Sequence, residues 1–211
     1  MTGSSGGYQF TNNWFETTAK NIWQQLIPKI KPQKVLEIGS YEGASAAFLI
    51  EKNDWCEEIV LWCIDTWDGG IEHRDASIDM TAVEKRFDHN IALAEERAQN
   101  KALIYKAKGF SDTELSKLIA GGHAGTFDFV YVDGSHQAPD VLTDAVLAFK
   151  LCKLGSIIAF DDYLWAEELE YGRDPIRCPK FAVDAFTNIF FRKVQILNVP
   201  LSQLWVRKIA D

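Results

Sequence analysis

The 211-residue chain is 47% hydrophobic and carries a net charge of −8 with no basic stripe, which argues against nucleic acid or an anionic membrane as its main partner and for a small molecule. Its length suits one sizeable core, so a single domain over 1–211 is expected, with 1–32 as lead-in and N-terminal cap helix and 33–211 as the core. No apolar stretch reaches membrane-spanning length, no basic-then-apolar leader opens the chain, and Cys56, Cys63, Cys152 and Cys178 make no C-x-x-C pair, so a reduced, cytoplasmic protein is expected.

Met1 to Gly7 reads as flexible lead-in. From Phe10 to Ile30 the apolar residues Phe10, Trp14, Phe15, Ile22, Trp23, Leu26 and Ile30 recur mostly at helical spacing, which predicts one amphipathic helix ended by Pro32. Its position before the first strand allows it to cover a pocket, and its aromatics make a homodimer an expectation. Strand-like runs follow at Lys34–Ile38, Ile59–Ile64, Ala102–Lys106, Phe127–Val132 and Ser156–Phe160, with helical patterns between them. Five such alternations predict an α/β fold: a Rossmann-like, mostly parallel sheet with helices on both faces. A helix from about Pro179 to Phe191, then Lys193–Asn198, a turn at Pro200 and Gln203–Ile209, predicts a C-terminal antiparallel hairpin.

The first strand breaks into a turn at Glu37-Ile38-Gly39-Ser40-Tyr41-Glu42-Gly43 before a helix that begins near Ser45. Helix N-termini present unpaired N–H groups to whatever lies over the strand end. A dinucleotide site uses G-x-G-x-x-G, but here Tyr41 replaces the middle glycine and Glu37 precedes the turn, so a pyrophosphate would be repelled. A ligand with positive charge, such as the ammonium and sulfonium of S-adenosylmethionine, suits the turn better than NAD.

Open parallel sheets bind ligands beyond the carboxyl ends of their strands. Strand two ends at Asp65-Thr66-Trp67, where the acid can accept ribose hydroxyls, and strand three runs into Gly109-Phe110-Ser111-Asp112, which can frame an adenine edge. Strand four ends at Asp133, followed by His136, and strand five at Asp161-Asp162. Three converging carboxylates call for a hard divalent cation, so Mg²⁺ on Asp133, Asp161 and Asp162 is expected, with His136, at the start of a helix His136–Leu151, as general base. The bland alternative makes these aspartates helix caps. Tyr41, Trp67, Phe110, Tyr163 and Trp165 fall at or just past strand ends, where rings can stack on adenine or attract a sulfonium. Trp67 to Ala76, with His73 as a weaker second base, reads as a loop over the active face.

Taken together these motifs resemble the class I S-adenosylmethionine-dependent methyltransferases, from about Lys34 to the C-terminal hairpin. Val35 to Gly43 is similar to that class's first motif and Cys63-Ile64-Asp65 to its acidic second motif. Within the class, Asp133 with Asp161-Asp162 resembles the metal-binding acids of catechol and macrocin-type sugar O-methyltransferases. The resemblance implies that Glu37, Gly39, Ser40, Tyr41, Gly43 and Ser45 line the methionine half of the cofactor. It implies further that Asp65, with Thr66 and Trp67 beside it, takes the ribose, that Ser111 and Asp112, with Gly109 and Phe110, take the adenine, and that Asp133 borders both cofactor and metal. His136 stands where catechol enzymes place a lysine base, and Asp162 replaces their Asn, which points away from a catechol and toward the sugar-modifying group. The expected activity is Mg²⁺-assisted O-methylation of a small hydroxylated molecule. The alternatives are a metal-independent N- or O-methyltransferase and a non-catalytic cofactor-binding module.

Overall fold

In the computed structural model, which describes residues 7–70 and 79–211, the backbone forms one seven-stranded sheet in the order β3-β2-β1-β4-β5-β7-β6. The strands are β1 Lys34–Ile38, β2 Glu58–Asp65, β3 Lys101–Lys108, β4 Phe127–Val132, β5 Cys152–Phe160, β6 Val194–Leu197 and β7 Leu204–Lys208. The first five are mutually parallel, and β7 pairs antiparallel with both β5 and β6. The expected fold class and hairpin are therefore present.

Alternation along the buried strands divides the core into two layers. Leu36, Ile38, Val130, Val132, Ile158 and Phe160 face one cluster, which includes Leu115 and Leu118 of α5 (Ser111–Leu118), Val141 to Leu151 of α6 (Ala138–Leu151), and Val183 and Phe186 of α7 (Pro179–Ile189). Val35, Leu61, Phe129, Tyr131, Ile157 and Trp205 face the other, against α2 (Lys20–Ile30), α3 (Ala44–Lys52) and α4 (Met80–Arg97). A strand buried on both faces reads in sequence as an unbroken apolar run, which is why β1, β4 and β5 are recognisable there.

The N-terminal segment departs from the expected single helix. It has no regular secondary structure through residues 7–10, then forms a short α1 (Trp14–Thr18) and, after Ala19, α2. Helix α2 closes on Lys31 in the left-handed region, one residue before Pro32. Of the aromatics that suggested a dimer, Trp23 is fully buried, edge-on to Phe129 and Tyr131 at 5.3 and 4.8 Å, with Phe15 packed on it, whereas Trp14 is 54% exposed. Helix α6 starts at Ala138, two residues after His136, because Gln137 is extended and Pro139 occupies the first turn. Strand β5 starts at Cys152 and β3 spans Lys101–Lys108, both longer than expected. The expected loop over the active face lies partly outside the described residues, and His73 with it.

Candidate functional site

Strand β1 is flanked by β2 on one side and β4 on the other, so the crossovers diverge there and leave a cleft at the carboxyl ends of the strands. The cleft encloses about 880 Å³, within the range of a small-ligand site. Register brings the site together: Ile38 pairs with Val132 and Val132 with Phe160, so Gly39, Asp133 and Asp161 follow side by side at the rim.

The first turn is held from behind. Gly39 has φ +87°, and a Cβ there would lie 1.9 Å from the Asp133 carbonyl oxygen. Its smallness thus serves the close approach of two strand ends. Gly43 (φ +79°) likewise abuts Phe87 and Ile91 of α4, at 3.0 and 3.2 Å from an added Cβ. It precedes α3, whose N-terminus has no side-chain cap, leaving the first-turn N–H groups at Ala44 and Ser45 directed at the cleft these residues line. The Asp65 carboxylate accepts the backbone N–H groups of Tyr41 and Trp67 at 2.8 and 2.7 Å.

Of the expected cofactor residues, Gly39, Ser40, Tyr41, Ser45, Asp65, Thr66, Gly109, Phe110, Ser111, Asp112 and Asp133 line the cleft. Glu37, Gly43 and Trp67 stand one layer behind it. Glu37 is buried, accepts a hydrogen bond from the Ser45 hydroxyl, and has its pKa raised by burial. Trp67 is buried against Phe87 and donates its indole N–H to the Tyr41 carbonyl at 2.9 Å, which fixes the turn. Tyr163 also points away, bonding Asp184 at 2.8 Å, whereas Trp165 lines the cleft.

At the opposite rim lie Asp133, His136, Asp161 and Asp162. One ligand atom each from Asp133, His136 and Asp162 lie within 4.8 Å of one another, a grouping in which His136 takes the place expected of Asp161. His136 Nε2 is 3.1 Å from an Asp162 oxygen, and its ring packs on Trp165 at 4.2 Å. Asp161 turns inward, accepting the Tyr131 hydroxyl at 2.5 Å; its other oxygen is buried without a hydrogen-bond partner among the described residues. The same hydroxyl stands 3.1 Å from Asp133, but a phenol has one proton for two carboxylates. Burial, then repulsion from Asp161 and Asp162, raises the Asp133 pKa far above the usual carboxylate range; burial, then Asp162, brings Asp161 to about 6. A crowded carboxylate set with one orphaned oxygen is short of positive charge, and a hard cation fits it. Asp133 does not cap α6, whose N-cap has no side-chain bond.

Strain gathers here too. Of four non-glycine residues with positive φ among the described residues, three are Tyr41, Trp67 and Asp162, at 45°, 48° and 51°. Each such residue costs of order 1 kcal/mol or more and persists where surrounding contacts impose it.

Sequence reasoning missed Tyr131, whose hydroxyl hides within an apolar run, and Asp144, on the inner side of α6. It also missed the latch that holds the N-terminal segment over the cleft. Glu42, 2% exposed, accepts the Thr11 N–H and hydroxyl, both at 2.7 Å, and pairs with Arg86 at 2.6 Å. Asn90 accepts the Gln9 N–H and donates to the Glu42 carbonyl. Phe10, Asn12, Trp14, Phe15 and Thr18 are thereby set along the cleft, as the expected cover.

A family profile described as a methyltransferase domain matches residues 36–163. The probable caffeoyl-CoA O-methyltransferase 3 of Dictyostelium discoideum is 25% identical over 165 residues, covering 74% of this chain and 57% of that protein. The chain thus spans little more than half the length of that curated relative. Two solved structures share the fold. The O-methyltransferase TomG of Streptomyces achromogenes, involved in tomaymycin synthesis and solved with S-adenosylmethionine, has a TM-score of 0.63 at 18% identity over 90% of this chain and 78% of its own. A Bacillus cereus O-methyltransferase solved with S-adenosylhomocysteine has a TM-score of 0.60 at 17% identity over 96% and 84%.

Proposed function

The chain belongs to the methyltransferase-domain family, and from that premise we propose that it transfers a methyl group from S-adenosylmethionine to a hydroxyl of a small molecule, with Mg²⁺ assisting. The observation that carries this reading is the single cleft wall that joins an uncapped helix N-terminus, a strand-end acid and a crowded carboxylate set. The relatives named O-methyltransferases favour oxygen as the acceptor atom.

The first-turn N–H groups of α3 receive the methionine carboxylate, and Asp65 receives the ribose hydroxyls. Bound S-adenosylmethionine supplies an electrophilic methyl: the acceptor oxygen forms the new carbon–oxygen bond as the carbon–sulfur bond breaks, leaving S-adenosylhomocysteine. Asp133, Asp161 and Asp162 would hold Mg²⁺, which when bound would ease ionisation of a hydroxyl. His136, steadied by Asp162 and Trp165, takes the hydroxyl proton at its imidazole. Trp14, Phe15 and Phe10 exclude water from the reacting end. Alignment of the two reactants supplies much of the acceleration, roughly 7 to 11 kcal/mol where geometry is well set. Four cysteines without disulfides suit the reducing cytoplasm as the working compartment.

A metal-free O- or N-methyltransferase is the second reading, favoured by the His136–Asp162 contact, which gives one acid a partner without a cation. Incubation with methyl-tritiated S-adenosylmethionine and a panel of polyhydroxylated small molecules, with Mg²⁺ or with EDTA, separates the two. Labelled product that vanishes with EDTA and returns with Mg²⁺ supports the metal-assisted reading; equal rates select the metal-free one. Label appearing on amines alone would overturn the choice of oxygen.

A further inference from the structure

Asp144 has no role in the chemistry above. It lies on α6 and is 1% exposed, yet it contributes to the cleft wall beside Ser111 and Thr143. Both carboxylate oxygens are buried without a partner at hydrogen-bonding geometry among the described residues. The Ser111 hydroxyl eases its charge, whereas Asp140 on the same helix and Asp112 on α5 oppose it. An orphaned buried carboxylate is costly, and its need is for a donor.

The cofactor offers three kinds of N–H or O–H donor. Its ammonium belongs with the β1 turn and its ribose hydroxyls with Asp65, which leaves the 6-amine of adenine for the wall formed by the β3 loop and α6. Asp112, the acid expected to meet adenine, is exposed and turned onto the N–H and hydroxyl of Thr113 at 2.6 and 3.1 Å. Resting on the assignment of S-adenosylmethionine to this cleft, we propose that the Asp144 carboxylate accepts a hydrogen bond from the adenine 6-amine and is the residue that selects adenosyl over 6-oxo nucleosides.

Calorimetric titration with S-adenosylhomocysteine and S-inosylhomocysteine tests this. An ionised carboxylate has no proton for a 6-oxo group, so the wild-type protein at pH 8 should bind the adenosyl compound about 10- to 100-fold more tightly, the range of a charge-assisted hydrogen bond. Asp144→Asn, nearly isosteric and able to donate, should shrink that ratio to about 3 or below, or invert it, with thermal melting confirming a folded variant. A wild-type protein that binds both equally overturns the proposal without recourse to any variant. So does an Asp144→Asn protein that keeps the wild-type ratio. If neither compound binds the wild type, the cofactor assignment itself falls, and this inference with it.

Discussion

Each end of the cleft carries a buried aspartate, Asp161 at one and Asp144 at the other, but they keep different company. At the acceptor end Asp133, Asp161 and Asp162 share Tyr131 and His136, and what they lack collectively is positive charge. At the proposed nucleoside end Asp144 has only the Ser111 hydroxyl to ease its charge and no partner at hydrogen-bonding geometry among the described residues, and what it lacks is a hydrogen-bond donor. On the proposed reading, the number of acids and the company they keep distinguish a place for a cation from a place for an amine, although both are built from the same residue type.

The largest effect expected concerns the lone acid. Burial raises Asp144 from the usual 3.8 to about 7. Between those values the unfolded chain has released the proton that the folded one still holds, so this group's contribution to stability falls as pH rises from about 4 to about 7 and then levels off. At about 1.4 kcal/mol per factor of ten, the full loss is roughly 4 kcal/mol. Ligand-free Asp144→Asn should therefore be more stable than wild type at pH 8 by up to that amount and no more stable near pH 4. Chemical denaturation across that range measures it, and a pH-independent difference would remove the contrast between the two ends.

At the crowded end, Asp162→Ala should lower turnover by about 10²-fold, with more Mg²⁺ needed for half-maximal rate, because it removes a donor and the partner of His136. Tyr131→Phe keeps the ring and deletes only the shared proton, so a smaller loss of about 10-fold in apparent Mg²⁺ affinity is expected. An unchanged Mg²⁺ dependence in both variants would detach the acids from any cation. The smallest effect belongs to the latch: Thr11→Val deletes one hydroxyl bond to Glu42 and should cost about 1 kcal/mol in cofactor affinity, read as a roughly fivefold rise in its KM.

Where strands are buried on both faces, their identity could be read directly, and the placement of Asp65, Asp133 and Asp161 followed from the strand ends. Position along the chain did not reveal depth. Trp67 follows a strand as a ligand-stacking ring would, yet a left-handed backbone turns it into the core. Gly39 marks a close approach in sequence, but only the register of β1 with β4 identifies the Asp133 carbonyl as what comes close. Asp144 passes for a solvated helix residue until the packing of α6 brings it to the cleft, and Tyr131 is concealed because its ring satisfies an apolar pattern while its hydroxyl reaches the acids. Ala19, a good helix former, gives no sign of the break between α1 and α2.

The contrast between the two ends is tested most directly by a crystal structure of the protein with S-adenosylhomocysteine and Mn²⁺, whose anomalous signal marks the cation. The account predicts a peak at about 2.2 Å from oxygens of Asp133, Asp161 and Asp162, and the adenine 6-amine within hydrogen-bond reach of Asp144. A nucleoside bound with its adenine away from α6, or a cation centred elsewhere than on those three carboxylates, would contradict it.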